Sequence, residues 1–404
     1  MTLFKGMGWL VAVVAAIGVA LWSRTIGEQY RNPAASLAFG LPAYSAAGAT
    51  LAYSTFAQRL QKDPRAQLSR QELLLAEDAY RNDPLSVTAV GLLALGRHSK
   101  DLSEQEAIFE QAGLLSRRSN LVSQYLIKAA AKRQDDAKFF RWLTRAAVTD
   151  TRARAVYIGA MVDATSRDDA VRTLIPVLGP DPDWAPYYWR TILDKPASIA
   201  NAGRIRMAIM GAPWKQFRIK QTDSKLVRRL VENEEFNLAR ELAVRLGQPG
   251  LTREVGRLPL VNANFARQPL LPPFDWQLAA SGNLGSSIDT ANRTLTISAL
   301  GGANGVAARQ LVRLSPGKYV ARWAMSANTE AAASPLTIDI NCAERADLGP
   351  KPSPSEMKSG RQIAEMVIGQ SSCRWYWFSL LIAVPDDVGG IDYTLHNLVL
   401  ERVP

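Results

Sequence analysis

Acid–base cleavage of a glycosidic bond needs two carboxylates about 5 to 10 Å apart across a cleft. The C-terminal third of the chain offers Asp289, Asp339 and Asp392, each on a strand-like run. Nothing in their spacing favours a pair over solvated or turn-capping groups. Histidine chemistry is poorly supplied, because His98 and His396 are the two histidines and stand far apart. Two cysteines and two histidines without finger-like spacing exclude a structural zinc site. The stretch Ala299-Leu300-Gly301-Gly302-Ala303-Asn304-Gly305 lacks the lysine of a phosphate loop and sits between strands. No nucleophile elbow is present either. The expectation is a protein without catalytic residues, cofactor or metal.

Binding chemistry is better supplied. A sugar can lay its C–H face on an aromatic ring, and Trp323, Trp375, Tyr376, Trp377 and Tyr393 are the candidates for such a platform, against a competing role in the core. From Trp375 to Ala383, alternation puts Trp375, Trp377, Leu381 and Ala383 on one face and Tyr376, Phe378, Leu380 and Ile382 on the other. Both faces are apolar. This pattern suits a central strand with one face in the core and the second either covered or presenting rings outward. Cys342 and Cys373 flank strand-like runs in the same region, where they form a disulfide in an oxidising compartment or stay as two small buried thiols.

The net charge of +11 is carried by the first 259 residues, since the remainder holds 12 Lys/Arg and 12 Asp/Glu. Arg117, Arg118, Arg152, Arg154, Arg228 and Arg229 are the densest basic positions. They suit an acidic polysaccharide or anionic lipid headgroups, or form a solvated face. No basic run is interleaved with aromatics, so nucleic acid is not an expected partner.

The elements that position these groups change character along the chain. Met7 to Trp22 is uncharged, follows Lys5 and carries Trp9 and Trp22 near its ends. It reads as a transmembrane signal-anchor over residues 1–25, with Gly18 and Ala20 offering the rival reading of a cleaved signal peptide. Residues 32–250 show short amphipathic stripes such as Phe139, Phe140, Leu143, Ala146 and Ala147, edged by Trp142. Breaks at Asn82-Asp83-Pro84, Arg117-Arg118-Ser119, Gln134-Asp135-Asp136 and Gly179-Pro180-Asp181-Pro182 set a helical array, solenoid-like or a compact bundle. Over 259–404 the apolar period becomes two, as in Thr294 to Ser298, Lys318 to Met325, Leu336 to Ile340 and Trp375 to Val384. Eight or nine such runs predict an antiparallel jelly-roll β-sandwich, with a loop from Pro352 to Gly360.

Val261-Asn262-Ala263-Asn264-Phe265, Pro273-Phe274-Asp275-Trp276-Gln277-Leu278 and Leu314-Ser315-Pro316-Gly317-Lys318-Tyr319 resemble a family of bacterial single-pass proteins associated with exopolysaccharide gene clusters. Leu115-Ser116-Arg117-Arg118 and Asp183-Trp184 are similar to its helical half. The resemblance implies a tetratricopeptide-like helical region followed by a carbohydrate-binding-like sandwich, with Cys342 near the end of a middle strand. It also implies that Phe274-Asp275-Trp276 fixes the first strand, through two buried aromatics and a turn-capping Asp. The expected function is a non-catalytic, membrane-anchored accessory protein of exopolysaccharide biosynthesis or export. Such a protein is held in the bacterial inner membrane by one helix, with its body in the periplasm. It binds polysaccharide assembly proteins and acidic or other glycan. The alternatives are an interaction scaffold without sugar binding and a polysaccharide-modifying glycoside hydrolase.

Overall fold

The computed structural model describes residues 2–38, 45–96, 102–151, 154–217, 219, 221–251, 257–328, 336–344, 353–370, 373–387 and 389–403, with side chains from residue 15 onward except at 45 and 102. The chain divides into two compact units, Met1–Met161 and Val162–Pro404.

The first unit is helical: α1 (Thr2–Glu28), α2 (Pro33–Ala38), α3 (Ser45–Lys62), α4 (Arg70–Asn82), α5 (Val87–Gly96), α6 (Leu102–Leu115), α7 (Asn120–Arg133), α8 (Asp136–Thr149) and the larger part of α9 (Arg154–Ala164). The transmembrane anchor expected over residues 1–25 is corrected here: the segment is helical, but among the described residues no helix is long and apolar enough to cross a membrane. Its uncharged run from Met7 to Trp22 is rich in alanine and glycine. At 1.5 Å per residue it rises about 24 Å, short of a hydrocarbon core of about 30 Å. The far end of α1 meets protein instead, where Thr25 is buried and Ser36 Oγ of α2 donates to the Thr25 carbonyl at 3.1 Å.

Helix ends follow local chemistry. Ser69 caps α4 in a capping box with Glu72, and Arg59 of α3 grips the same carboxylate through Nε at 3.1 Å and Nη2 at 2.6 Å. Burial opposes the Glu72 charge, yet the hydrogen bonds from Arg59 and Ser69 hold its carboxyl below the ordinary range. Ser119 caps α7 and Asp135 caps α8, at the breaks read from the sequence. From α1 to α8 each helix packs on its sequence neighbour, and α3 with α5 and α5 with α7 also touch. Phe56, Leu92, Phe109, Leu126 and Trp142 form the shared core.

The second unit starts with more helices: the end of α9, α10 (Ala170–Leu178), α11 (Ala185–Ile192), a 3-10 turn (Pro196–Ser198), α12 (Ile199–Met210), α13 (Thr222–Glu232) and α14 (Phe236–Arg245). Trp184, Tyr188 and Trp189 are fully buried among them. Arg206, with no exposed surface, is satisfied by Asp223 through two bonds of 2.7 and 3.1 Å and by the carbonyls of Gln216 and Phe217. A buried guanidinium is tolerated when its donors are filled in this way.

Among the described residues eleven strands then form an antiparallel two-sheet sandwich: β1 (Gln277–Leu278), β2 (Ala280–Ser281), β3 (Leu284–Asp289), β4 (Thr294–Ala299), β5 (Asn304–Arg313), β6 (Gly317–Ala327), β7 (Leu336–Cys342), β8 (Ser355–Glu356), β9 (Gly360–Ile368), β10 (Trp375–Ala383) and β11 (Ile391–Arg402). The five-stranded sheet has the order β1-β5-β10-β7-β8, and the six-stranded sheet the order β2-β3-β4-β11-β6-β9. Trp276, Leu295, Ile297, Trp323, Ile338, Phe378 and Leu398 fill the space between them. Within the segment expected to loop from Pro352 to Gly360, Pro352 lies outside the described residues. The rest is partly regular, since Ser355–Glu356 pairs with β7 and Met357 is fully buried.

Phe274, Asp275 and Trp276 are all buried at the entry to β1. Asp275 Oδ2 accepts from Arg267 Nη1 at 2.7 Å, Gln248 Nε2 at 3.0 Å and Leu270 N at 3.2 Å, while its Oδ1 accepts from Trp276 N at 2.9 Å. Gln248 follows α14, so this carboxylate ties the last helix to the first strand.

Candidate functional site

The ring residues singled out in the sequence do not assemble into one platform. Trp323, Tyr376 and Tyr393 point into the sandwich, at 3%, 5% and 2% exposure. Trp323 Nε1 donates to the Lys358 carbonyl at 3.1 Å, and Tyr376 Oη donates to that of Cys373 at 3.3 Å. Strand alternation sends Trp375 and Trp377 to the outer face of the five-stranded sheet. There Trp375 is buried, with Phe236 of α14 at 5.8 Å and Phe274 at 5.9 Å between ring centroids. Trp377 is half-buried under the Arg309 guanidinium, 4.3 Å from the ring centroid. Arg309 also donates to Gln277 Oε1 at 3.0 Å, and burial holds its guanidinium below the ordinary range.

Cys342 closes β7 and Cys373 precedes β10, with their sulfurs bonded and their Cα atoms 6.0 Å apart. Glu344 lies near enough for Cys342, Glu344 and Cys373 to resemble a ligand set. The two sulfurs are bonded to each other, which leaves one carboxylate and no thiolate for a metal.

The three carboxylates considered for hydrolysis lie apart. Asp339 alternates with the core residues Ile338 and Ile340 and so faces outward on the five-stranded sheet, with Asn341 as a hydrogen-bond partner. Asp289 and Asp392 belong to the six-stranded sheet, opposite Thr294 and Ser298 respectively. Four residues of strand separate those two partners, a rise of about 13 Å, and face-packed sheets are about 10 Å apart. No two of the three meet the spacing of an acid–base pair. Asp289 accepts from Asn292 N and Nδ2 and from Ala291 N, bonds that hold its carboxyl below the ordinary range.

Among the basic positions, Arg117 and Arg118 are exposed in the turn between α6 and α7. Arg154 is half-buried and donates to the Ala147 carbonyl at 2.8 Å. Arg228 and Arg229 are neutralised by Glu232, and Arg229 by Asp194 as well. Arg152 and His98 lie outside the described residues. His396 is exposed at the irregularity where β11 slips against β6.

A further polar surface emerges from the register of the six-stranded sheet. Ser287 faces Thr296, Thr296 faces Thr394, and Thr394 faces Ser326, giving one row of hydroxyls across β3, β4, β11 and β6. The adjacent row runs Ala280, Gly285, Ser298 and Asp392. Asp392 is locked to Asn328 by its N–H to Oδ1 at 2.9 Å and by Asn328 Nδ2 to its Oδ2 at 3.2 Å. Ile288, Leu295, Ile297, Met325, Tyr393 and Leu395 point the other way into the core, so both rows face out. Ser287, Ser298, Ser326 and Asp392 are exposed, while Thr296 and Thr394 are half-buried. One end of this face forms a recess of about 520 Å³ lined by Ser281, Gly282, Asn283, Ser298, Gly390 and Asp392 among others. Gly282 holds φ +55, a left-handed turn conformation that favours glycine. The surface presents hydroxyl and carboxylate groups in two in-register lines, with the Asn328 amide bonded to the Asp392 carboxylate, suited to a polyhydroxylated ligand and without an acid–base pair. The serines and threonines gave no warning in the sequence, where they look like the solvent side of any half-buried strand.

No protein-family model and no curated protein matches the chain. Among solved structures, one of botulinum neurotoxin type C, whose cell entry is dependent upon interaction with two ganglioside molecules, aligns with 32% of this chain and 44% of its own at 7% identity and a TM-score of 0.19. The chain spans less than half of that neighbour, and a likeness of this size carries no argument. The structure itself establishes a helical region followed by an antiparallel β-sandwich.

Proposed function

We propose that the chain is a non-catalytic accessory protein of exopolysaccharide biosynthesis or export, whose sandwich holds glycan and whose helices bind partner proteins of the assembly apparatus. The observation that carries the glycan part is the row of hydroxyls on the outer face of the six-stranded sheet and the adjacent row holding Ser298 and Asp392, next to a recess of about 520 Å³. Sugar hydroxyls exchange hydrogen bonds with such side chains at little reorganisation, because the sheet fixes their spacing. The exopolysaccharide setting rests on the resemblance of the segments around Phe274-Asp275-Trp276 to that family. The Cys342–Cys373 bond favours an oxidising compartment such as the periplasm.

A second reading, a scaffold without sugar binding, is favoured by one observation: the candidate rings lie in the core or against protein, and the open face carries none of the five. Affinity electrophoresis of the full-length chain through gels containing a neutral glucan or a polyuronate separates the two. Glycan binding predicts retardation that Thr296→Arg abolishes while the melting temperature stays put. If folded wild-type protein migrates unretarded in gels of both kinds, the scaffold reading replaces the glycan reading.

A further inference from the structure

Within the first unit, Gly113 of α6 lies against Trp142 of α8 so closely that a Cβ there would sit 2.5 Å from Trp142 Cη2. This close approach places the end of α6 and the turn after it, Leu114 to Arg118, beside the face of α8 that carries Arg141, Arg145 and Val148 at helical spacings of four and three. Arg145 stacks on Trp142 at 4.5 Å from the ring centroid and Arg141 lies 5.9 Å from it. The Arg145 guanidinium is held below its ordinary range by burial and then by the charges of Arg117 and Arg141, which shows how near the three cations lie. Among the described residues no carboxylate forms an ion pair with Arg117, Arg118, Arg141 or Arg145. Elsewhere Arg59, Arg133, Arg206, Arg229, Arg245, Arg267 and Arg322 each have one.

Like charges four apart on a helix destabilise it, so the cluster is unexplained by the stability of the fold. Three aliphatic side chains accompany it in the open: Leu114 at 73% exposure, Leu115 at 53% and Val148 at 50%. We propose that this patch docks the chain onto the surface of an anionic phospholipid bilayer, without crossing it. The guanidiniums hold phosphates in their planar forks, while the leucines and Val148 enter the boundary between headgroups and acyl chains. A soluble polyanion would satisfy the four cations and leave the aliphatic side chains in water. An anionic membrane surface satisfies both.

Flotation of the full-length chain with vesicles of phosphatidylglycerol and phosphatidylcholine, against phosphatidylcholine alone, tests this. The comparison is between variants, because the apolar run of α1 contributes equally to all of them. Arg117→Glu/Arg118→Glu/Arg141→Glu, at three exposed positions, lowers partitioning into the anionic vesicles by about a hundredfold. Leu114→Ser/Leu115→Ser lowers it by about tenfold and makes the remainder sensitive to salt. Circular dichroism confirms that both variants fold. Flotation of either variant at the wild-type level overturns the proposal. So does capture of the wild type by a soluble polyuronate but not by vesicles, with capture lost in the arginine variant, a result that assigns the patch to acidic polysaccharide.

Discussion

The two outer faces of the sandwich come from the same fold and do opposite things. On the five-stranded sheet, the outward row of β10 is Trp375, Trp377, Ser379 and Leu381, and α14 reaches it through Phe236. Arg309 lies over Trp377 with its charge partly desolvated, and Glu232 at the end of α13 favours that charge. On the six-stranded sheet the two rows running across β3, β4 and β11 hold serine, threonine, alanine, glycine and aspartate, largely open to water. The difference teaches that an aromatic outer face marks where this sandwich meets its own chain, whereas the face left open to water carries small polar groups. Damage to the first face should therefore cost stability, and damage to the second should cost binding.

The largest effect is expected at Trp375. Replacing it with alanine leaves Phe236 and Phe274 facing a void, a loss of about 3 to 5 kcal/mol. Denaturant unfolding of the full chain measures it. If Trp375→Ala changes stability by less than about 1 kcal/mol, the helices are not held by this face and the contrast between the sheets fails.

The disulfide sharpens the same contrast, because it joins the end of β7 to the residues leading into β10, both in the five-stranded sheet. Closing a loop of 31 residues limits the unfolded chain by about 3 to 4 kcal/mol. Cys342→Ser/Cys373→Ser is expected to lower the melting temperature accordingly while glycan retardation survives at temperatures where the protein is folded. Loss of retardation in the folded double variant would show that the two sheets are not independent in function.

Arg309 is the smaller probe of the covered face. Arg309→Met keeps the stem and removes the charge over Trp377, and is expected to cost about 1 to 2 kcal/mol. A stabilising effect would mean that desolvation of the guanidinium outweighs its attraction to the ring and to Glu232.

How far this arrangement could be read from the chain differs by level. Period-two runs gave the strands, and alternation along Trp375 to Ala383 gave its two faces, because side-chain direction is a local property of extended backbone. What lies on the second face is not local: Phe236 is far earlier in the chain, and its arrival turns an apparent platform into packing. The hydroxyl rows were illegible for the same reason, since Ser287, Thr296, Thr394 and Ser326 become neighbours only through strand register. Charge followed the same rule. Arg228 and Arg229 read from the chain alone as an open basic pair, yet Asp194 and Glu232 lie beside them, while Arg141 and Arg145 gain Arg117 as a neighbour only through the turn that follows α6. At the N-terminus, the uncharged run was legible and its insufficient length was overridden by its flanking tryptophans.

The smallest expected change in stability carries the sharpest test of the open face. Thr296 and Ser298 stand side by side on β4, pointing to solvent, and neither makes a contact that the core needs. Thr296→Arg or Ser298→Arg should shift stability by no more than about 0.5 kcal/mol, since surface positions away from caps and cores tolerate change. Each adds a long cation that covers the rows and the mouth of the recess. A neutral glucan should then lose its hold on the protein. A polyuronate should lose its hold too if the rows bind by shape, and should bind more tightly if charge alone governs the contact. Measuring both polymers on these two variants therefore separates a surface that reads hydroxyl spacing from one that collects polyanions.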